Sequence, residues 1–169
     1  SAINYARKNN VPFLGICFGM QMAVIEFARN VLKINKASSS ELNPKCTPVV
    51  GLIHEWKKNG KTIKGTDKDL GGTMRLGLYE AELINNSLIR SIYNSRTIKE
   101  RHRHRYEVNV NYKNKYEKKG LIFSGNSPDK NLPEIIELKN HPWFIGVQFH
   151  PEFKSRPLTP HPLFSYLFL

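Results

Sequence analysis

The amino-acid sequence predicts an α/β protein in which a mostly parallel sheet lies between two layers of helices, with antiparallel strands added to it. An apolar run at 11–16 lies between an Asn-Asn pair and a turn, which is typical of a strand buried on both faces of a parallel sheet. Apolar residues then recur at helical spacing from Met20 to Leu32. A strand, a tight turn and a helix in this order are the outline of an α/β unit.

The rest of the chain continues this pattern with a larger share of strands. A helix is predicted at 3–9, before the first strand, and two more at 87–93 and 161–169. Asn59-Gly60 is a strong signal for a hairpin turn. Extended segments are predicted at 48–56, 73–79, 101–110, 121–124, 135–138 and 144–149. Because there is no internal repeat and no low-complexity linker, the sequence predicts one domain over residues 1–169.

The composition excludes several classes of protein. A chain of 169 residues, 40% of them hydrophobic, can bury a core and is not a mainly disordered polypeptide. No apolar run approaches the roughly 20 residues that a membrane-spanning helix needs. The two cysteines, Cys17 and Cys46, do not suggest a secreted scaffold held by disulfides. We therefore expect a cytoplasmic protein in a reducing environment, with no membrane partner.

The charge balance is strongly basic. The chain has 26 Lys and Arg residues against 14 Asp and Glu residues, which gives a formal net charge of +12 at pH 7. Such an excess attracts nucleic acid, nucleotide phosphates or an acidic partner. Many of the lysines lie in Lys- and Asn-rich segments such as 57–61 and 112–120, which are typical of solvated surface. A basic nucleic-acid-binding module is the alternative interpretation, although we expect no specific nucleic-acid partner.

The run Arg-His-Arg-His-Arg at 101–105 is the segment that most invites a phosphate-binding interpretation. In a strand, its three arginines lie on one face and its two histidines on the other. The two histidines do not make a metal site, because no further Cys or His residues have ligand spacing. We therefore predict no metal site.

Cys17 is the first candidate for a catalytic residue. It lies in the segment Gly-Ile-Cys-Phe-Gly at 15–19, between the predicted strand and the start of the predicted helix. Such a sharp turn pushes the sulfur outward, and glycines two residues before and after it relieve crowding, as in a nucleophile elbow. The helix N-terminus favours a thiolate, and its free amide groups can hold an oxyanion. For this cysteine taken alone, a buried structural role is the alternative.

A second cluster supports a catalytic role. In Gly-Val-Gln-Phe-His-Pro-Glu at 146–152, His150 follows an apolar strand and Glu152 lies two residues further on. A thiolate nucleophile needs a base that can later protonate the leaving amine, and imidazole has a suitable pKa. The carboxylate of Glu152 can fix the tautomer and orientation of that imidazole. The sequence therefore predicts a Cys-His-Glu triad.

These motifs resemble a known family. The pattern Gly-x-Cys-x-Gly-x-Gln, followed by a distant Gln-Phe-His-Pro-Glu, is similar to that of the triad-type, or class I, glutamine amidotransferases. Four more blocks, at 23–29, 71–77, 101–109 and 140–144, resemble the C-terminal glutaminase domain of the CTP synthase family. The resemblance runs over nearly the whole chain. It implies a flavodoxin-like, three-layer α/β/α fold and identifies the predicted triad as the catalytic one.

The resemblance also assigns residues to the binding of glutamine. The residues that it implies are Phe18, Gly19, Met20, Gln21, Glu41 and Arg105. Among them, the backbone N–H of Phe18 is expected to bind the oxyanion, Glu41 to accept the α-ammonium group and Arg105 to contact the carboxylate. Phe18 stands where the family usually has Leu, and Ser38 replaces a usual Asn near the acidic residue.

Further implied partners lie outside this chain. L-Glutamine is the implied substrate, and the ammonia passes to a synthetase domain of the same polypeptide, where ATP and Mg²⁺ support the conversion of UTP to CTP. That domain is not present here, and we expect no cofactor within this one. Residues 61–75 resemble a lid that responds to the allosteric activator GTP, whose phosphates would attract Lys64 and Arg75. The complete enzyme is expected to be a homo-tetramer.

Two further expectations concern the alternatives and the start of the domain. An amidotransferase of the GMP synthase type would share the triad but lack the Gly-Gly-Thr-Met-Arg block at 71–75 and the Arg-His-Arg-His-Arg block at 101–105. The family takes a second oxyanion donor from a glycine-rich loop after an earlier strand, and no such segment precedes 11–16. We therefore expect that the chain lacks the N-terminal strand and oxyanion-loop segment of its domain.

Overall fold

The computed structural model describes residues 1–52 and 74–167. Its helices are α1 (Ala2–Asn9), α2 (Phe18–Asn30), α3 (Leu88–Tyr93), α4 (Lys113–Glu117) and α5 (Pro162–Leu167). Its strands are β1 (Phe13–Ile16), β2 (Ala37–Ser39), β3 (Thr47–Leu52), β4 (Arg75–Leu83), β5 (Thr97–His104), β6 (Tyr106–Val108), β7 (Leu121–Asn126), β8 (Pro133–Leu138) and β9 (Phe144–Val147). Short 3-10 helices cover Val110–Tyr112 and Pro151–Phe153.

Six strands form the main sheet, in the order β1-β9-β8-β7-β4-β5, and β2, β3 and β6 form a smaller one. Strands β1 and β9 pair in parallel, as do β2 and β3, while the other described pairs are antiparallel. The predicted α/β class is confirmed, but this pairing differs from the predicted, mostly parallel sheet. The connections from β7 to β8 and from β8 to β9 are too short for the crossover that parallel neighbours need, so these strands pair antiparallel.

Helices cover both faces of the main sheet, as the three-layer prediction requires. Ile136 on β8 belongs to the core that includes α2 and α4, whereas its neighbour Ile135 belongs to the core that includes α3 and α5. Because adjacent residues of a strand point to opposite faces, the two cores lie on opposite sides of the sheet. Tyr116 on α4 is fully buried between Phe27 of α2 and Phe123 of β7, with ring centroids 5.9 and 5.8 Å away.

Helix α2 is buried along most of its length, including one carboxylate. Glu26 accepts hydrogen bonds of 2.8 to 2.9 Å from Asn4 and Arg7 of α1 and from Asn30 at the end of its own helix. A buried carboxylate without such donors is strongly unfavourable. The cluster therefore ties α1 to α2, which carries the residues that follow Cys17.

Most predicted elements are confirmed, with ends that differ by a few residues. The sequence does not predict β2 or α4, and α4 lies in the Lys- and Asn-rich segment at 112–120 that is interpreted above as solvated surface. The predicted turn at Asn59-Gly60 lies outside the described residues. Within the described ranges, the structure has no helix that is both long enough and apolar enough to cross a bilayer.

Candidate active site

Cys17 lies at the junction of β1 and α2, in a backbone conformation that few residue types adopt. Its φ is 49° and its ψ is −101°, and it is the N-cap residue of α2. A non-glycine residue with positive φ costs on the order of 1–3 kcal/mol, and such residues cluster at functional sites. The backbone N–H of Cys17 donates to the carbonyl of Val147 at 2.7 Å, which holds the turn beside the end of β9. The predicted sharp turn at this cysteine is therefore present.

The two glycines around this turn act in different ways. A Cβ atom at Gly15 would lie 2.8 Å from the carbonyl carbon of Gly19 and 2.9 Å from the ring of Phe13. The start of α2 can approach β1 this closely because Gly15 has no side chain. A Cβ atom at Gly19 would meet nothing within 4 Å. Crowding therefore explains why position 15 is a glycine. Position 19 is not itself crowded, and its backbone is what Gly15 must accommodate.

The thiol of Cys17 is partly buried, and burial raises its pKa above the ordinary value. Two hydrogen-bond donors oppose this increase, namely the backbone amide of Phe18 and the side chain of Gln148. Nε2 of Gln148 lies 3.6 Å from Sγ of Cys17. The carboxylates of Glu107 and Glu152 add to the increase. Burial and nearby carboxylates thus raise the pKa of the Cys17 thiol, and the two N–H donors lower it.

His150 and Glu152 form a hydrogen-bonded pair after β9. Nδ1 of His150 lies 2.6 Å from Oε1 of Glu152, so a neutral ring carries its proton on Nδ1 and leaves Nε2 as the acceptor. Nε2 of His150 is buried and has no hydrogen-bond partner among the described residues. The backbone N–H of His150 donates to Arg101 at 2.8 Å, and the ring of Phe153 stacks on the imidazole at 4.9 Å. This arrangement fixes an imidazole that can accept a proton at Nε2.

A cavity of about 530 Å³ opens beside the predicted nucleophile. It is lined by Cys17, Phe18, Gln21, Glu41, His104, Arg105 and Tyr106. The structure thus brings four of the six residues predicted to bind glutamine together with the cysteine. Gly19 and Met20 are not among the lining residues, and neither is the imidazole–carboxylate pair. His104 and Tyr106 have no predicted role, although they flank Arg105 in the sequence.

Gln21 lines the cavity, but its amide group is already engaged. Its Nε2 donates to the backbone carbonyl of Tyr106 at 2.9 Å and to Oε1 of Gln148 at 3.2 Å. These two bonds use both N–H groups of the side chain. Only Oε1 of Gln21 is left to contact a ligand, so the residue mainly shapes the wall of the cavity.

Comparison with known proteins identifies the family. The profile of the family described as "Glutamine amidotransferase class-I" matches residues 1–168. The chain belongs to the class-I glutamine amidotransferases. This assignment confirms the predicted family and agrees with the α/β fold and the cysteine at a nucleophile elbow.

Individual relatives of this amidotransferase carry a more specific name. The chain is 73% identical over 164 residues to the CTP synthase of Pelagibacter ubique (strain HTCC1062), covering 97% of this chain and 30% of that protein. It is 61% identical over 166 residues to the CTP synthase of Zymomonas mobilis, covering 98% of this chain and 30% of that protein. The chain therefore spans about 30% of the length of the curated relatives it matches.

Solved structures show the same fold. The glutaminase domain of Trypanosoma brucei CTPS with bound acivicin superposes with a TM-score of 0.84 at 35% identity, covering 99% of this chain and 62% of that one. A Thermoplasma acidophilum protein described as a putative GMP synthase component gives a TM-score of 0.55 at 15% identity, covering 99% of this chain and 61% of that one. The second likeness shows the fold alone.

A group of buried charges lies next to the amidotransferase cavity. Arg75 on β4 is 7% exposed and lies 3.2 Å from Glu107 on β6 and 2.8 Å from Glu134 on β8. In the structure Arg75 is a buried residue of β4, and two carboxylates pair with its guanidinium. Its expected contact with the phosphates of GTP stays a prediction. Lys64, the other predicted GTP contact, lies outside the described residues.

Two histidines connect this group to the cavity. As predicted, β5 alternates, with Arg101 and Arg103 exposed and His102 and His104 buried. Nδ1 of His102 lies 2.8 Å from Nε2 of His104, and burial lowers the pKa values of these rings to about 2 and about 3. Both rings are therefore neutral at pH 7. In the described part of the chain, no group of three or more His, Cys, Asp or Glu side chains is placed to hold a metal ion.

Burial changes the pKa values of Glu107 and Glu134 in the direction opposite to that of the two histidines. Burial raises the pKa of Glu107 to about 8 and that of Glu134 to about 7, although the charge of Arg75 works against both increases. At neutral pH the group therefore holds a proton that two freely solvated carboxylates would release. This buried charge cluster has no counterpart in the sequence-based prediction.

Proposed function

We propose that this chain is the glutaminase part of a CTP synthase, which hydrolyses L-glutamine through a thioester on Cys17 and supplies ammonia to a synthetase part of the same enzyme. The observation that carries the proposal is the cavity that places Cys17 beside Glu41 and Arg105. The names of the relatives narrow the proposal from an amidotransferase to CTP synthase.

The charges of the cavity suit a free amino acid. A glutamine molecule carries an α-ammonium group and an α-carboxylate, and its side-chain amide lies three carbon–carbon bonds from the α-carbon. Glu41 provides a carboxylate for the ammonium group, and Arg105 provides a guanidinium for the carboxylate. A cavity with only one of these charges would bind a wider range of amides. Both charges in one cavity therefore support free glutamine as the substrate.

The proposed reaction proceeds in two steps. The thiol of Cys17 gives its proton to Nε2 of His150, and the resulting thiolate attacks the side-chain carbonyl carbon of glutamine. The backbone N–H of Phe18 stabilises the oxyanion that forms. The C–N bond breaks while Nε2 of His150 delivers a proton to the departing ammonia. A water molecule then gives a proton to the same Nε2 and attacks the thioester. Glutamate leaves, the S–C bond breaks, and Glu152 stabilises the imidazolium formed in between.

The remaining parts of the proposal concern the complete enzyme. We infer that ATP and Mg²⁺ act in the synthetase part, where UTP is aminated to CTP, and that GTP acts as an activator, with Lys64 as a candidate contact. The complete enzyme is proposed to be a homo-tetramer. The present chain contributes ammonia and needs no cofactor for that step.

A cysteine variant of the complete enzyme tests this proposal. Cys17→Ala is expected to abolish glutamine-dependent formation of CTP and release of glutamate, while synthesis of CTP from free ammonia continues. Cys46→Ala is the matched control and is expected to retain both activities, because Cys46 does not line the cavity. Loss of ammonia-dependent synthesis in folded Cys17→Ala would contradict the separation of the two roles. Glutamate release by Cys17→Ala at the wild-type rate would exclude the proposed nucleophile.

A further inference from the structure

Gln148 is a buried polar residue that lies against the reacting sulfur. It is fully buried at the end of β9, and its backbone N–H donates to the carbonyl of Glu134 at 2.8 Å. Its neighbour Val147 accepts the backbone N–H of Cys17 at 2.7 Å. Backbone hydrogen bonds of both residues therefore hold Nε2 of Gln148 at 3.6 Å from Sγ of Cys17. A sulfur atom accepts hydrogen bonds at longer distances than oxygen does, so 3.6 Å lies within its range.

The hydrogen-bond network decides which end of the Gln148 amide faces the sulfur. The backbone carbonyl of Tyr106 can only accept, so Gln21 must turn its Nε2 towards it. The second N–H of Gln21 then points to Gln148, which must offer its Oε1. Nε2 of Gln148 is consequently the end that faces Sγ of Cys17. The opposite orientation would place two N–H groups against each other and an oxygen against a thiolate.

We propose that Gln148 is a further catalytic residue, whose side-chain N–H holds the Cys17 sulfur as a thiolate and which is locked in that orientation by Gln21. The proposal rests on the proposed function of Cys17 as the nucleophile. Gln148 differs in kind from the base His150, because an amide donates a hydrogen bond but exchanges no proton in the reaction. It also differs from a cationic partner, since it stabilises the anion without forming an ion pair that must be broken.

The N–H of Gln148 acts at two points of the reaction. Before the first step it favours the thiolate, against the burial that raises the pKa of Cys17. The S–C bond then forms, the C–N bond breaks, and ammonia leaves with the proton from the imidazole. In the second step the oxygen of water forms a bond to the same carbon and the S–C bond breaks. The sulfur departs with the electron pair as a thiolate, and the N–H of Gln148 is placed to donate a hydrogen bond to that developing anion.

The pH dependence of cysteine alkylation tests this role without measuring turnover. Iodoacetamide reacts with the thiolate, so the rate of Cys17 alkylation against pH, followed on its peptide by mass spectrometry in the complete enzyme, reports the pKa of the thiol. Gln148→Met keeps most of the buried volume but removes the donor. Loss of a hydrogen bond to a charged group is expected to move the midpoint upward by about one to two pH units. Below the midpoint, the rate of alkylation should fall by about 10- to 100-fold.

A second variant and an internal reference make the result decisive. Gln148→Glu keeps the shape and the acceptor for Gln21 but brings a carboxyl group to the sulfur, so it should raise the midpoint as well. Cys46 is alkylated in the same samples, and its midpoint should not change, which excludes a general effect on folding. The kcat for glutamine hydrolysis should fall more than the KM changes, and ammonia-dependent synthesis should be retained.

The outcomes separate this proposal from the function on which it rests. An unchanged Cys17 midpoint in either folded Gln148 variant would overturn the role of Gln148, even if the enzyme is a glutaminase. A shifted midpoint in a protein whose wild type releases no glutamate would support the thiolate contact and reject the glutaminase. Equal shifts at Cys17 and Cys46 would show an effect on the structure as a whole and would also overturn the proposal.

Discussion

The pair formed by His150 and Glu152 shows what a local motif can predict at the scale of single residues. Pro151 lies between them and begins a 3-10 helix, where its fixed φ is favourable. That short turn brings the carboxylate to 2.6 Å from Nδ1 of His150. Three consecutive residues thus contain the whole contact, and the sequence predicts it. Gln148 gives no such signal, because its amide is oriented by Gln21, 127 residues away.

Replacement of the carboxylate in this pair tests its contribution to catalysis. Glu152→Gln keeps the size of the side chain but removes the charge that stabilises the imidazolium of His150. We expect the kcat of glutamine hydrolysis to fall by roughly 100- to 10,000-fold, with little change in KM. Steady-state release of glutamate measures this effect, and ammonia-dependent synthesis is the control. An unchanged kcat in the folded variant would show that Glu152 does not act through the imidazole.

At the scale of helices and strands, the sequence predicts helices better than strand neighbours. The period of apolar residues is local, so α2 is predicted almost to its ends. Helix α4 is missed because a single buried aromatic, Tyr116, holds a Lys-rich segment against the core. The sheet order depends on contacts between distant segments, and the antiparallel pairs of β4, β7 and β8 have no signal within any one strand. The sequence assigns Arg75 to a lid for the same reason, because the carboxylates that pair with it lie on strands distant in the sequence.

Arg75 joins β4 to β6 and β8 through two buried carboxylates, and its removal should be costly. Arg75→Met leaves Glu107 and Glu134 without their cation, and breaking a buried ion pair costs about 3–5 kcal/mol. Urea unfolding at pH 8 measures this loss of the free energy of unfolding. Arg103→Met on the exposed face of β5 is the matched control, with an expected change within about 0.5 kcal/mol.

The penalty of Arg75→Met should also depend on pH, with a sign that follows from the carboxyl groups. The pKa values of Glu107 and Glu134 are raised in the folded protein to about 8 and about 7, and without Arg75 they rise further. A carboxyl group with a raised pKa binds a proton more tightly in the folded state, so the free energy of unfolding falls as pH rises towards that pKa. In the variant the pKa values are higher, so this fall continues to a higher pH than in the wild type. The difference between variant and wild type should therefore shrink from pH 8 to pH 5.5. A penalty that is equal at both pH values would contradict the ionic role.

At the scale of the whole molecule, the cations that give the formal net charge of +12 are partly buried or paired and partly exposed. Part of the positive charge is internal or paired, as in the contacts of Arg7 with Glu26 and of Arg75 with its carboxylates. On the outward face of the β4–β5 ribbon, Arg101 and Arg103 lie opposite leucines of β4 rather than further cations. Together with Lys99, which lies opposite Glu80, these two arginines form a short exposed row of three cations on β5, which suits non-specific contact with phosphates.

This distribution predicts that the protein binds duplex DNA only weakly and without sequence preference. Non-specific binding arises from the release of counterions, so it should disappear between about 50 and 200 mM salt. Fluorescence anisotropy with two labelled duplexes of unrelated sequence measures both properties. Arg101→Gln combined with Arg103→Gln should lower the slope of log affinity against log salt by about two units at most, and equally for both duplexes. The cavity that is proposed to bind glutamine has neither of these exposed arginines among its lining residues, so glutamine hydrolysis should be unaffected by the double substitution. Tight binding that distinguishes the duplexes at physiological salt would instead favour a nucleic-acid-binding role for this surface.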